Sequence, residues 1–208
     1  MFHLKRPALF GKLVLLGTLL VAGCVPTSPP MRFFVLTPID ADAPAPPVLD
    51  APRVLIGPLR VAGYLDRPQL MTRRPDGELI LHELDRWAAP LEEMLVQTLA
   101  DNLMRLTGSE QVLAYPTPGP AAADLRITGQ ILRFDTDTEG VAVLRTQWQL
   151  KDADGEVLIP LQTAEYRARA SNAGTAARVG ALSDVLGEFA RELGAHLTEE
   201  SGKGTATH

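Results

Sequence analysis

The sequence predicts one mixed α/β domain (α+β-like): a mixed, largely antiparallel β-sheet with two amphipathic helices packed on one face. Three observations predict it. Long segments in the second half alternate apolar and polar residues with period two, as a half-covered antiparallel sheet does. Two other segments repeat their apolar residues at helical spacing. The elements read in the order β, β, β, β, α, β, β, β, β, α, with no internal repeat, over a length of one to one and a half ordinary domains. At 46% hydrophobic residues the chain can build a core.

Taken in order, Met31 to Leu36 (MRFFVL) is a first strand, rich in aromatic and branched residues. Thr37 to Pro52, proline-rich and weakly patterned, reads as an extended loop. Arg53 to Val61 is a buried strand broken at Gly57-Pro58, because proline cannot donate to a central ladder. Gln69–Arg73 and Glu78–His82 flank Arg74-Pro75-Asp76-Gly77, a hairpin signal. Pro90 suits a first helical turn, with Glu92 and Glu93 favouring that N-terminus. Leu91, Met94, Leu95, Thr98, Leu99, Asn102, Leu103 and Leu106 then make one helical face, and Gly108 stops it.

Gln111 to Tyr115 is a short strand. Leu125, Ile127, Gly129 and Ile131 form one face of the next. Ala142, Leu144, Thr146, Trp148 and Leu150 share a face of the second long strand, and Tyr166, Ala168 and Ala170 of the third. Asp135 to Gly140 and Asp152 to Gly155 are short enough for hairpins. A final helix, Thr175 to about Glu200, carries the stripe Leu182, Val185, Leu186, Phe189, Leu193 and Leu197.

The N-terminus has another layout. Lys5, Arg6 and Lys12 precede an apolar run, Leu13 to Ala22, which ends at Gly23 and Cys24, the chain's one cysteine. This is a secretory signal; about ten apolar residues fall short of the roughly 20 a membrane span needs. The segment resembles a bacterial lipoprotein signal. That resemblance implies diacylglyceryl transfer to the Cys24 thiol, cleavage before it, and N-acylation. Cysteine suits the role because its thiolate is a strong nucleophile, and several acyl chains anchor stably where one is marginal. The expected organisation is residues 1–23 as signal, 24–30 as lipidated cysteine and Pro-rich tether, 31–200 as periplasmic domain, and 201–208 as a flexible tail. Val25, rather than aspartate, after the cysteine implies sorting to the outer membrane.

Composition narrows the function classes. The formal charge is −5, and removing the three signal cations leaves −8. An acidic chain is poorly suited to nucleic acid, whose binding rests on Lys/Arg neutralising phosphates. No thiol remains for a disulfide or a Cys-based metal site once Cys24 is acylated. The only non-protein groups expected are the acyl chains themselves. Asp135, Asp137 and Glu139 mimic the start of a calcium loop, but Thr146 stands where a bidentate glutamate belongs, so a hairpin is expected. Gly202-Lys203-Gly204-Thr205 lacks the earlier glycine and the strand of a phosphate loop. His82 beside Glu83 and Asp85 could be an acid/base set, though a solvated strand end is the plainer reading. No hydrolase elbow or zinc helix motif is present. No enzyme is expected.

Two stretches place aromatic and arginine residues in turns: Tyr64-Leu65-Asp66-Arg67-Pro68-Gln69 and Arg86-Trp87-Ala88-Ala89-Pro90-Leu91. One reading is packing, with Trp87 closing the core. The other is a partner-docking edge, since Tyr, Trp and Arg are enriched in interface hot spots. On that reading Tyr64, Leu65, Asp66, Arg67, Arg86 and Trp87 bind a partner.

The lipobox, the Phe33-Phe34-Val35-Leu36 strand, Ile56-Gly57-Pro58, these two stretches and Asn102-Leu103 together resemble the ABC-type transport auxiliary lipoproteins, the PqiC-like family. The match runs in order from Cys24 to about Leu106. It implies a non-enzymatic outer-membrane lipoprotein that works with an envelope-spanning MCE-domain protein and inner-membrane permease partners in lipid transport. It also implies a ring-shaped homo-oligomer. Ala89 departs from the pattern, in which an acidic residue precedes the proline. The alternative is a structural lipoprotein of another envelope machine, for lipopolysaccharide or outer-membrane-protein assembly.

Overall fold

In a computed structural model, which describes residues 29–40, 51–117 and 122–205, the elements follow the order read from the sequence. They are β1 (Arg32–Phe34), β2 (Val54–Val61), β3 (Gln69–Arg73), β4 (Leu79–Trp87), α1 (Leu91–Thr107), β5 (Val112–Ala114), β6 (Leu125–Asp137), β7 (Val141–Asp152), β8 (Val157–Arg169) and α2 (Thr175–Thr205). The signal segment, Cys24 and the first part of the tether lie outside the described residues, as do positions 41–50 of the loop after β1 and the last three residues of the expected tail.

The eight strands form one mixed sheet whose spine is β6. One edge of β6 pairs antiparallel with β7 from Leu125↔Asp152 to Thr136↔Ala142. The opposite edge is shared. β2 runs parallel along Leu125–Ile131, and β3 runs parallel at Thr136–Asp137. Beyond β7 lies β8, antiparallel; beyond β3 lies β4, antiparallel; and beyond β4 and β2 lie β1 and β5, each parallel. The long ladders are thus antiparallel as expected, while the parallel ones join segments distant in sequence. Gly57-Pro58 breaks β2 where expected: Gly57 has φ +107°, and the β2–β6 register shifts between Ile56 and Leu59.

The helices pack against each other and the sheet. In α1 the expected face is buried from Leu91 to Leu103 and half-buried at Leu106, and Gly108 closes the helix in a left-handed conformation, its N–H bonded to the Met104 carbonyl at 3.0 Å. Pro90 precedes the first helical residue as the cap, contributing only its carbonyl to the Met94 N–H at 3.1 Å. In α2 the whole stripe from Leu182 to Leu197 is buried. It meets the even-numbered face of β7, where Trp148 lies 6.2 Å from the Phe189 ring, and Tyr166 of β8 lies 5.7 Å from it. The Tyr166 hydroxyl donates to Glu192 at 2.7 Å. Burial, then that hydrogen bond, pushes its pKa far up and keeps the phenol protonated.

The chain after β1 is fastened rather than free. Leu36 is buried, the Thr37 N–H donates to Ser183 Oγ at 3.1 Å, and the Ile39 N–H donates to Asn102 Oδ1 at 2.8 Å. Arg105 Nη1 closes on the Ile39 carbonyl at 2.9 Å. A strap therefore crosses both helices, and it gives the side-chain oxygen of the fully buried Asn102 its hydrogen-bond partner. β1 itself is tied down by Arg32, whose Nε and Nη2 donate to the two Asp85 oxygens at 2.7 Å each. Thr175 Oγ1 donates to Asp85 as well, at 2.8 Å. These donors, Arg32 foremost, hold the buried Asp85 carboxyl below the ordinary aspartate range.

Candidate functional site

Two collinear strands can share one edge of β6 only if the chain steps aside between them, and Ala62–Pro68 is that step. The Ala62 N–H continues the ladder to the Ile131 carbonyl at 2.9 Å, and the chain then turns through the 3₁₀ segment Gly63–Leu65. Leu65 is fully buried. The Tyr64 hydroxyl donates to the Leu132 carbonyl at 3.1 Å, at the point where β6 and β7 slip register between Ile131 and Arg133. One tyrosine thus satisfies a carbonyl in the gap between two strands.

The structure brings the two motif stretches together. Trp87 N–H donates to the Pro68 carbonyl at 2.7 Å, and Gln69 pairs with Arg86 across β3 and β4. Trp87 is 5% exposed and packs on Phe134, ring centroids 6.3 Å apart. Of the six residues expected to meet a partner, Leu65 and Trp87 are therefore core residues with no surface to offer in the monomer. Tyr64 is half-buried, with the Arg73 guanidinium 5.2 Å above its ring. Arg86 is half-buried and donates Nε to the Glu83 carbonyl at 3.2 Å. Asp66 and Arg67 are exposed.

Beneath this turn lies a buried charge cluster. Asp135 has a fully buried side chain, bonded by Arg73 at 2.7 Å and Arg133 at 2.8 Å. Burial, then the nearby Asp135 charge, raises the Tyr64 pKa. Asp137, the next acidic residue of the calcium-like run, accepts the backbone N–H groups of Glu139 at 2.9 Å and Val141 at 2.8 Å. The run is a hairpin turn with its carboxylates already committed. No group of three or more potential ligands able to hold a metal occurs among the described residues.

One exposed residue of each stretch, Asp66 and Pro90, lines a groove of about 640 Å³, whereas Tyr64, Arg67 and Arg86 lie outside its lining. Asp66 comes from the first and Pro90 from the second, Gly63, Glu92 and Glu93 adjoin them in sequence, and Arg60, Tyr115 and Pro116 close the far side. Glu92 is partly engaged, lying 3.8 Å from Arg60 and accepting the Val61 N–H at 3.3 Å. Asp66 and Glu93 make no ion pair among the described residues, so the groove carries open negative charge beside an exposed tyrosine. Sequence reasoning missed the β2 and β5 wall. Two proline breaks, Gly57-Pro58 and Tyr115-Pro116, were the available signal.

The His82 set does not assemble. His82 Nε2 is 2.8 Å from Thr72 Oγ1, Glu83 accepts from Gln69 at 3.2 Å, and Asp85 is taken by Arg32 and Thr175. The three side chains are thus hydrogen-bonded to separate partners rather than to one another.

Comparison with known proteins decides the family. The model for the ABC-type transport auxiliary lipoprotein component matches residues 34–194, most of the chain and both motif stretches. The chain belongs to that family. No curated protein matches it. Among solved structures, protein XCC0632 from Xanthomonas campestris, of the family model DUF330, is similar at 21% identity and TM-score 0.67, covering 84% of this chain and 99% of its own. An uncharacterized protein is similar at 15% identity and TM-score 0.66, covering 81% and 99%. Both show the fold alone. The PelC dodecamer from Paraburkholderia phytofirmans aligns at 17% identity and TM-score 0.39, over 68% of this chain and 90% of that one, too loosely to bear on assembly. As a member of this auxiliary lipoprotein family, the protein is a component associated with transport in the cell envelope.

Proposed function

We propose that the protein is a periplasmic lipoprotein, anchored in the outer membrane through acylated Cys24, that serves as a non-catalytic docking subunit of an MCE-type lipid-transport system. One observation carries the docking reading. Two motif stretches, separated by a hairpin in sequence, converge on a single open groove with uncommitted carboxylates. Leu65 and Trp87, the buried members, support the step in the sheet, and Asp66 of the first stretch and Pro90 of the second face the groove beside the adjoining Glu93 and Tyr115. A rigid floor with an adaptable polar rim suits recognition of a partner segment. The lipobox supports the anchor, because several acyl chains hold a domain at a bilayer for long times. Val25 supports the outer membrane. The MCE-domain protein, its permease partners and a homo-oligomeric ring belong to this reading through the family resemblance.

The test is recovery of partners from gently solubilised membranes with the full-length protein, followed by mass spectrometry. Co-recovery of an MCE-domain protein, lost in Cys24→Ala, is the expected result. Recovery of only lipopolysaccharide- or outer-membrane-protein assembly factors would replace it with the structural-lipoprotein reading.

A further inference from the structure

β1 carries an apolar face that the fold does not use. Phe34 and Leu36 turn inward, Leu36 into the core. The alternate residues turn outward: Met31 is 51% exposed, Phe33 62% and Val35 59%. Parallel register sets Phe33 beside Arg86, and Leu84, 40% exposed, precedes by one residue the β4 position paired with Arg32. β1 is an edge strand, paired only with β4 among the described residues. A continuous row of large apolar side chains on an exposed edge marks a contact surface. The face carries one cation, Arg86, half-buried beside Phe33, while Arg32 turns to the opposite side with Phe34 and is held by Asp85.

The position of this face in the chain points to its occupant. Six residues, Val25 to Pro30, separate Cys24 from Met31, three of them proline. At ~3.3–3.6 Å per extended residue, Met31 lies no more than about 25 Å from the anchored cysteine. An apolar face held so close to a bilayer gains by dipping into the headgroup–acyl boundary, as interfacial segments do, with Arg86 at the level of the headgroups. The second apolar edge, Val157, Leu158 and Leu161 on β8, lies more than a hundred residues further along the chain, and nothing fixes what covers it.

We propose that the outer face of β1, with Met31, Phe33 and Val35, is the domain's seat on a lipid surface and sets its orientation there. The proposal rests on the reading of Cys24 as acylated. The domain then stands on the membrane with one fixed edge down, rather than tumbling on its tether.

The experiment places a reporter at the seat. Phe33→Trp is well tolerated by an exposed position, and the native Trp87 and Trp148 are buried at 5% and 0% exposure, which keeps the wild-type background flat. Full-length acylated protein is reconstituted into phosphatidylethanolamine–phosphatidylglycerol vesicles, with or without lipids brominated along their acyl chains. Leu161→Trp on β8 is the comparison. An indole seated ~5–10 Å into the boundary is expected to lose about half or more of its emission to bromine, while the one on β8 keeps its own. Protein that stays with the vesicles through Cys24 but shows no quenching at position 33 overturns the seat and leaves the anchor standing. Failure to stay with the vesicles, or an unmodified Cys24 by mass spectrometry, overturns the anchor and the seat together. A concentration-dependent blue shift without bromine quenching assigns the face to a second copy of the chain and refutes the lipid seat.

Discussion

Trp87→Ala separates packing from docking more cleanly than any other change. The indole is 5% exposed, stacked at 6.3 Å on Phe134, and its backbone N–H bonds the Pro68 carbonyl that holds the two motif stretches together. Truncation leaves the backbone bond in place and opens a cavity beside Phe134. Buried Trp→Ala changes cost ~3–5 kcal/mol, the spread reflecting how far the site collapses. At roughly 2–4 °C per kcal/mol for a domain of this size, Tm should fall by ~10 °C. The assay is thermal unfolding of the full-length protein in mild detergent, followed by far-UV circular dichroism, with Asp66→Ala beside it. The exposed aspartate should move Tm by no more than about 1 °C, as surface changes away from special features do. A Trp87→Ala protein with wild-type Tm and lost partner recovery would refute the packing argument and return Trp87 to the interface.

Other changes test the frame. Gly129→Ala should cost about 3 kcal/mol or leave the protein insoluble, because an added Cβ runs into the Gln147 carbonyl and stands 2.9 Å from Trp148 Cα, both backbone; a shift of the urea midpoint at unchanged m-value measures it. Asp135→Ala removes the shared partner of Arg73 and Arg133 and should cost ~3 kcal/mol, read in the same way. Asp85 gives a pH signature. Its folded carboxyl titrates below its unfolded value of about 4, so its contribution is present above that value and is lost as pH falls through the folded pKa. Asp85→Asn should therefore lower Tm at neutral pH and flatten the fall of Tm below about pH 4; parallel Tm–pH curves for variant and wild type would contradict the assignment.

The sequence made the long elements legible because each satisfies a local period. In β7 the residues from Ala142 to Leu150 alternate, and every even position among them is buried. In α2 the stripe from Leu182 to Leu197 is likewise buried throughout. What was illegible depends on distant partners. Nothing local to Val112–Ala114 says that it adds in parallel to β2. Nothing in β6 says that two strands share its edge. The strap at Thr37 and Ile39 read as loop, because its order comes from Ser183, Asn102 and Arg105, far along the chain. The motif stretches were conspicuous for their Tyr, Trp and Arg, but composition cannot separate an interface aromatic from a buried one. Burial does that for Leu65 and Trp87, and a groove joins Asp66 of one stretch to Pro90 of the other.

The most direct test of the docking claim is crosslinking inside the living envelope. A photoreactive phenylalanine analogue is placed at Glu93 in the groove and, for comparison, at Lys151 on the β7–β8 side, and irradiated products are identified by mass spectrometry. The predicted result is a crosslink from position 93 to an MCE-domain protein, absent from position 151. Crosslinks from position 93 to an unrelated assembly factor, or none from it while position 151 captures the MCE-domain protein, would contradict the groove as the docking site.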